Sequence, residues 1–222
     1  MSQSQAPVDV LVIGGGVAGS AAALALAREG LRVRCVEPSR FPRARVGESL
    51  DWSAPKLLSQ VGLDRDTVVA SGAGTYKREV HGITSSGRRL VAGPPRWFRS
   101  WPLRFENVTL HVDREQFDQR LLEAAVDAGV EFVWERIHTV QLVDDRVRGC
   151  STSSGTSHEA DWYVDASGRS RLIGKAAHIG TRRWGHERIG IWTQRSSPTP
   201  VEGTILHLDD MADDLAWAWQ IP

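Results

Sequence analysis

Three glycines with the spacing of a dinucleotide-binding motif stand near the N-terminus of the chain. Gly14-x-Gly16-x-x-Gly19 lies between an apolar run and an alanine-rich segment. In such a motif the first glycine permits a tight turn, the second lets a pyrophosphate approach the backbone, and the third lets a helix pack closely on a strand. The helix N-terminus offers unpaired N–H groups and the positive end of its dipole to the phosphates. The pattern therefore predicts a dinucleotide site that also uses Val17 and Ala18.

An acidic side chain follows the second predicted strand. Glu37 occupies the position at which a carboxylate accepts hydrogen bonds from ribose hydroxyls in dinucleotide-binding folds. A carboxylate at this place repels a 2′-phosphate, so the residue disfavours NADP. The glycines and Glu37 alone do not distinguish NAD from FAD.

The elements that must position these residues form a βαβ unit. Residues 10–13 are a continuous apolar run, typical of a strand buried on both faces of a parallel sheet. A helix then runs to Gly30, and residues 31–36 form a second strand. Two more helices are predicted over residues 52–61 and 114–128, the latter from apolar residues at helical spacing.

Short strands are predicted along the rest of the chain. A hairpin over residues 75–91 turns at Ser85-Ser86-Gly87, and residues 93–102, GPPRWFRSWP, read as a surface loop. The remaining predicted strands cover residues 108–112, 130–134, 137–143, 147–151, 162–164, 189–192, 203–208 and 215–221.

Composition excludes several classes of function. The chain has 27 basic and 27 acidic residues, so no global positive charge exists to attract nucleic acid or an anionic membrane. Its two cysteines, Cys35 and Cys150, support neither a disulfide framework nor a zinc cluster, and the histidines lack metal-ligand spacing. Without a signal peptide or an apolar run long enough to span a membrane, the sequence predicts a cytoplasmic protein with no metal.

Four segments together resemble one flavoprotein superfamily. The order GGGVAGSAAA, RVGES, HVDREQFDQRLLEAA and DASG is similar to that of FAD-dependent monooxygenases and halogenases. The resemblance implies an α/β fold: a doubly wound, Rossmann-like FAD-binding domain over residues 1–74 and 101–175, and a mainly β, substrate-facing domain over residues 75–100 and 176–222. It also implies cofactor contacts from Arg45, Gly47, Glu48, Ser49, Arg114, Asp165 and Gly168.

The end of the chain resembles the halogenase branch. Residues 217–222, WAWQIP, match the WxWxIP pattern of flavin-dependent, tryptophan halogenase-like proteins. The resemblance implies that this strand separates the flavin from the aromatic substrate through Trp217, Trp219, Ile221 and Pro222. Alternating aromatic residues also occur on one face of an ordinary half-buried strand, and geranylgeranyl-reductase-like flavoproteins carry a similar strand.

Lys77 falls where halogenases place the lysine that holds hypohalous acid or is chlorinated by it. It is one of only three lysines, with Lys56 and Lys175. A desolvated amine is a nucleophile, and an ammonium can hydrogen-bond an oxidant. The continuation HGITSSG departs from the apolar strand of the family. The alternative is a solvated strand lysine.

The resemblance implies that reduced FAD activates O₂ and that an aromatic compound is halogenated or hydroxylated. The substrate would be a small aromatic molecule, or an aromatic group on a carrier or partner protein, and a separate flavin reductase would supply reduced flavin. The family continues past WxWxIP with a GDAA-like segment that this sequence lacks, which predicts a truncated chain completed by a second polypeptide. Alternatives are a monooxygenase, a non-catalytic or partner-dependent FAD-binding fragment, and a reductase-like flavoprotein.

Overall fold

A computed structural model describes residues 5–93, 108–185, 189–194, 203–209 and 216–222. Most of the predicted loop 93–102 lies outside these residues. Contacts group the chain into two units. Unit 1 comprises Met1–Ala44 and Asp118–Gly190, and unit 2 comprises Arg45–Phe117 and Ile191–Pro222. The domain limits expected from the sequence remain a prediction.

The described part of the chain contains five α-helices and thirteen strands. The helices are α1 (Val17–Arg28), α2 (Ala54–Gln60), α3 (Arg65–Ala70), α4 (Arg114–Asp127) and α5 (Leu172–Ala176). The strands are β1 (Val8–Ile13), β2 (Val33–Val36), β3 (Gly74–Lys77), β4 (Val80–Thr84), β5 (Arg89–Ala92), β6 (Thr109–Val112), β7 (Glu131–Val133), β8 (Ile137–Val143), β9 (Arg146–Thr152), β10 (Ser157–His158), β11 (Ala160–Asp165), β12 (Thr204–Asp209) and β13 (Ala216–Gln220).

A four-stranded parallel sheet in the order β11-β1-β2-β7 forms the centre of unit 1. The predicted βαβ unit is present as β1, α1 and β2. Every residue of β2 is buried, as are all but one of β1, which agrees with their continuous hydrophobicity. Helix α1 buries the face that carries Gly19, Ser20, Ala23 and Leu24. Cys35 and Cys150 are buried free thiols in β2 and β9.

A second, antiparallel sheet of unit 1 has the order β10-β9-β8. A tight turn at Asp144 and Asp145, both with positive φ, joins β8 to β9. Ile137 and Cys150 of this sheet pack with Leu11, Ile13 and Val36 of the parallel sheet in one buried cluster. The core of unit 1 therefore lies directly beneath the strand ends that carry the glycine motif.

Unit 2 contains a mixed sheet in the order β13-β12-β4-β5 and a two-stranded antiparallel sheet of β3 and β6. The predicted hairpin is confirmed as β4 and β5, joined through Thr84 and Arg88. Strand β3, within the same predicted segment, pairs instead with β6. Strand β12 is parallel to β4 and antiparallel to β13.

One predicted strand is absent, and two short helices were not predicted. The strand predicted over residues 189–192 is wrong, since those residues carry no regular secondary structure and Ile189 and Ile191 are 93% and 96% exposed. Apolar alternation forms a strand only where a neighbour accepts its hydrogen bonds. Helices α3 and α5 were not predicted, although Asp64 caps α3 by accepting the N–H groups of Asp66 and Thr67. Among the described helices, none is both long and apolar enough to cross a membrane.

Candidate functional site

Of the three motif glycines in unit 1, two are tightly packed and the third faces open space. Gly14 has φ +102°, and a Cβ there would lie 2.5 Å from the carbonyl oxygen of Ala166. A Cβ on Gly19 would lie 1.7 Å from the carbonyl oxygen of Gly14. At Gly16, by contrast, nothing lies within 4 Å of the Cβ position. The first and third glycines are thus required by packing, whereas the second leaves room for a group outside the protein.

The N-terminus of α1 begins at this opening. Gly16 is the N-cap and supplies no side chain, and the first bond of the helix joins Ser20 N–H to the Gly16 carbonyl. The N–H groups of the first turn, at Val17 and Ala18, have no intrahelical acceptor. Open space, free N–H donors and the positive helix end together fit the pyrophosphate of a dinucleotide.

Glu37 is held beside the turn by three donors. Its Oε2 accepts the Gly15 N–H at 2.7 Å, and its Oε1 accepts the Ser39 N–H at 2.9 Å and Arg43 Nη1 at 2.6 Å. The carboxylate is 4% exposed. These contacts fix its orientation at the carboxyl end of β2. A hydrogen bond from Glu37 to a ribose remains a prediction.

Asp165 ends β11, the neighbour of β1 in the parallel sheet, and pairs in register with Ile13. Its carboxylate accepts N–H bonds from Ile173 at 2.9 Å and Gly174 at 3.2 Å, at the start of α5, and also bonds Ser167. Partial burial raises the pKa of Asp165, but the hydrogen bonds lower it by more, so the net effect is a lowered pKa. Asp165 therefore caps the N-terminus of α5, beside the glycine turn.

Gly168 follows in the same turn with φ +61°. Its cofactor contact, like that of Asp165, remains a prediction.

In unit 2 the predicted cofactor loop joins β6. The Glu48 backbone carbonyl accepts the Val112 N–H at 2.7 Å, and the Leu50 N–H donates to the Leu110 carbonyl at 2.9 Å. Arg114 Nη1 donates to the Val46 carbonyl at 2.8 Å.

A Cβ on Gly47, whose φ is +117°, would lie 2.8 Å from the guanidinium of Arg114. The structure thus brings Gly47, Glu48, Ser49 and Arg114 together, while Arg45 is exposed.

Lys77 is buried rather than solvated. It lies in β3 opposite Thr109 of β6 and is 8% exposed. Its Nζ donates to Ser49 Oγ at 2.9 Å and to the Leu50 carbonyl at 3.2 Å, and lies 5.1 Å from the centroid of the Trp52 ring. Burial lowers the pKa of Lys77, although the negative charge of Asp51 partly counteracts this by raising it. The interpretation as a solvated strand lysine is therefore wrong.

His111 was not identified from the sequence. It forms a β-bridge with Ser49, and a 3.1 Å hydrogen bond joins its Nε2 to Thr204 Oγ1. Burial, with a smaller effect of the Lys77 charge, lowers the pKa of His111 to about 4. Polar Thr109 and His111 alternate within the apolar strand VTLHV, which was the available signal for a buried polar layer.

The predicted barrier residues lie on a different sheet from Lys77. Trp217 and Trp219 alternate on strand β13 and are 39% and 62% exposed. Opposite them on β12 are Leu208 and Leu206. Ile221 is half-buried and Pro222 is exposed. Their role in separating flavin from substrate remains a prediction.

Residues 9–83 and 99–222 match the model of the family described as tryptophan halogenase. The tryptophan 2-halogenase of Chondromyces crocatus is 33% identical, over 96% of this chain and 40% of that protein. The 1H-pyrrole-2-carbonyl-(peptidyl-carrier protein) chlorinase of Pseudomonas fluorescens is 29% identical, over 96% of this chain and 53% of that protein.

A solved structure of a halogenase has a similar fold. The chondrochloren halogenase CndH of a myxobacterium, a variant of FAD-dependent halogenases, superposes with a TM-score of 0.74 at 25% identity. The match covers 98% of this chain and 50% of CndH. The α/β fold with a Rossmann-like parallel sheet is therefore confirmed. The chain spans about half the length of the relatives it matches.

Proposed function

The chain belongs to the tryptophan halogenase family, and we propose that it is the flavin- and lysine-bearing part of an FAD-dependent halogenase. The observation that carries this proposal is Lys77: a buried amine fixed by Ser49 and Leu50 and facing an aromatic ring. A lysine of merely structural use on a strand surface would be solvated instead.

Unit 1 would hold the adenosine diphosphate part of FAD. The open space at Gly16 and the first turn of α1 suit the pyrophosphate, and Glu37 suits the ribose. Asp165, Gly168 and the loop of Gly47, Glu48 and Arg114 are the further residues that the family resemblance assigns to the cofactor. When bound, the flavin supplies the redox chemistry that uses O₂ to oxidise halide.

Lys77 would transfer the oxidised halogen. Because burial lowers its pKa, a larger fraction of the amine is neutral and nucleophilic than in a solvated lysine. Two of its hydrogen-bond positions are directed to Ser49 and Leu50, which leaves one position for a hypohalous acid or a bound halogen. The chain's contribution is therefore to hold a reactive nitrogen at one fixed point.

The substrate would be aromatic, either free or bound to a carrier protein. The tryptophan and pyrrolyl-carrier relatives support both forms. A separate flavin reductase would supply reduced flavin. Free cysteines in β2 and β9 are consistent with a cytoplasmic location.

The test is Lys77→Ala in a reaction with reduced FAD, O₂, bromide and a panel of indoles and phenols. We expect the variant to lose halogenated product by mass spectrometry, while oxidation of reduced flavin by O₂ continues because that reaction lies upstream. Lys56→Ala, which removes an exposed lysine, is the matched control and should keep both activities.

Two results would contradict the proposal. Halogenated product that persists in Lys77→Ala would exclude the lysine from the reaction. Hydroxylated but never halogenated product, unchanged by the substitution, would instead favour a monooxygenase.

A further inference from the structure

Lys77 lies over the face of an aromatic side chain of its own protein. Nζ lies over the Trp52 ring at 5.1 Å from its centroid, within the ~6 Å of a cation–π contact. The hydrogen bonds to Ser49 and Leu50 hold the nitrogen in that position. A halogen attached to Nζ would therefore be carried close to the indole ring.

This placement suits electrophilic substitution. An electrophile attacks an aromatic ring through its π face, which is the electron-rich side that also attracts cations. Trp52 is half-buried, and the amine lies over its ring. Indole is also the most electron-rich aromatic side chain.

We propose that Trp52 is a self-halogenation site, at which the halogen carried by Lys77 is transferred to an indole carbon when no substrate is present. The inference rests on the proposed function, because it requires Lys77 to accept halogen. It assigns to Trp52 a modification and identifies the protein's own ring as a competitor of the aromatic substrate.

The chemistry balances without a further reactant. Hypohalous acid converts the neutral Lys77 amine to an N-haloamine and releases water. The N–halogen bond then breaks with its electron pair left on Nζ, and a carbon–halogen bond forms on the ring. The proton lost from the ring carbon returns to nitrogen, so the lysine is regenerated.

Neighbouring aromatic residues are less well placed. Tyr76 precedes Lys77 in β3, so its side chain projects from the opposite face of the strand, and its hydroxyl donates to Asp66 at 2.7 Å. Among the described residues, Trp184, Trp162 and Trp219 are more exposed, at 89%, 72% and 62%. Oxidant from bulk solvent would reach those three first, which gives the proposal a clear alternative.

The experiment adds increasing, substoichiometric hypochlorous acid to the purified chain and maps chlorine by peptide mass spectrometry. Samples are analysed before and after a mild reductant, which removes chlorine from nitrogen but not from an aromatic carbon. We expect a reducible adduct at Lys77 and a stable one at Trp52. Chlorination of Trp52 should fall at least ~10-fold in Lys77→Arg, a small part of the advantage that orientation within one molecule can give.

Three variants complete the design. Lys175→Arg is the matched control and should leave chlorination of Trp52 unchanged. Trp52→Phe should make the Lys77 adduct longer-lived. Ser49→Ala keeps the lysine but removes one of its two acceptors, so it should lower chlorination of Trp52 even if Lys77→Arg does not fold.

The possible failures are distinguishable. If Lys77 forms a haloamine while Trp52 stays unmodified, or if the tryptophans react in order of exposure regardless of Lys77, self-halogenation is refuted and the proposed function stands. If Lys77 never takes up halogen, the proposed function fails and the self-halogenation site fails with it.

Discussion

Acidification should destabilise the fold through His111. This side chain is 3% exposed, and burial lowers its pKa to about 4 from the ordinary value of 6.5. Between these two values the unfolded chain binds more protons than the folded chain, so the free energy of unfolding falls as the pH falls below 6.5. The two pKa values give a loss of about 2 kcal/mol at pH 5 and about 3 kcal/mol once the pH is below both.

Urea unfolding followed by circular dichroism, at pH 7.5 and pH 5, measures this loss. His111→Gln cannot titrate but keeps an amide that can bond Thr204, so the variant should lose about 2 kcal/mol less than the wild type on acidification. Other titrating groups, including the buried His158, are common to both proteins. His138→Gln, at an exposed histidine, should behave like the wild type. An equal loss in His111→Gln and wild type would refute the argument that His111 is folded in its neutral form.

Three further outcomes follow from the glycine turn, the ribose site and the buried thiols. Gly19→Ala should lower the free energy of unfolding by about 3 kcal/mol, because its Cβ would meet the Gly14 carbonyl. Gly16→Ala should change that free energy by less than about 1 kcal/mol and weaken FAD binding in a fluorescence titration. Glu37→Arg should abolish FAD retention, whereas the same change at the exposed Glu29 should leave it intact; equal retention would contradict the ribose role. Burial raises the pKa of both cysteine thiols to about 12, so a thiol-labelling reagent at pH 8 should react with them only on unfolding.

The local sequence pattern was sufficient to predict most elements of the parallel sheet of unit 1. The apolar run of β1, the glycine turn and the alanine-rich α1 each specify their own conformation within a few residues. Helix α4 likewise begins and ends within one residue of its expected limits. Sequence periodicity succeeds for β1, α1 and β2 because these elements, which are adjacent in the sequence, also pack against one another.

Long-range pairing was not predictable in the same way. Strand β3 was assigned to a hairpin with its sequence neighbour but pairs with β6, more than thirty residues later. That pairing places Thr109, Ser49 and Leu50 around Lys77. The lysine is therefore buried only because β3 pairs with β6, and the alternation of residues within a strand does not specify which strand it will pair with. Trp52 and His111 were missed for the same reason.

The parallel pairing of β4 with β12 has a consequence for synthesis. Val80 is in register with Thr204, so β4 leaves the ribosome about 120 residues before its partner, or on the order of 6–25 s earlier at ordinary translation rates. During that interval the hairpin of β4 and β5 has an unpaired edge, open to pairing with another chain. The residues synthesised meanwhile include most of unit 1, whose parallel sheet needs nothing beyond β11. Nascent chains in which residue 190 has left the ribosome but β12 has not should therefore have unit 1 folded and be prone to aggregate through β4. The demand for chaperones during overexpression should be greatest at this stage.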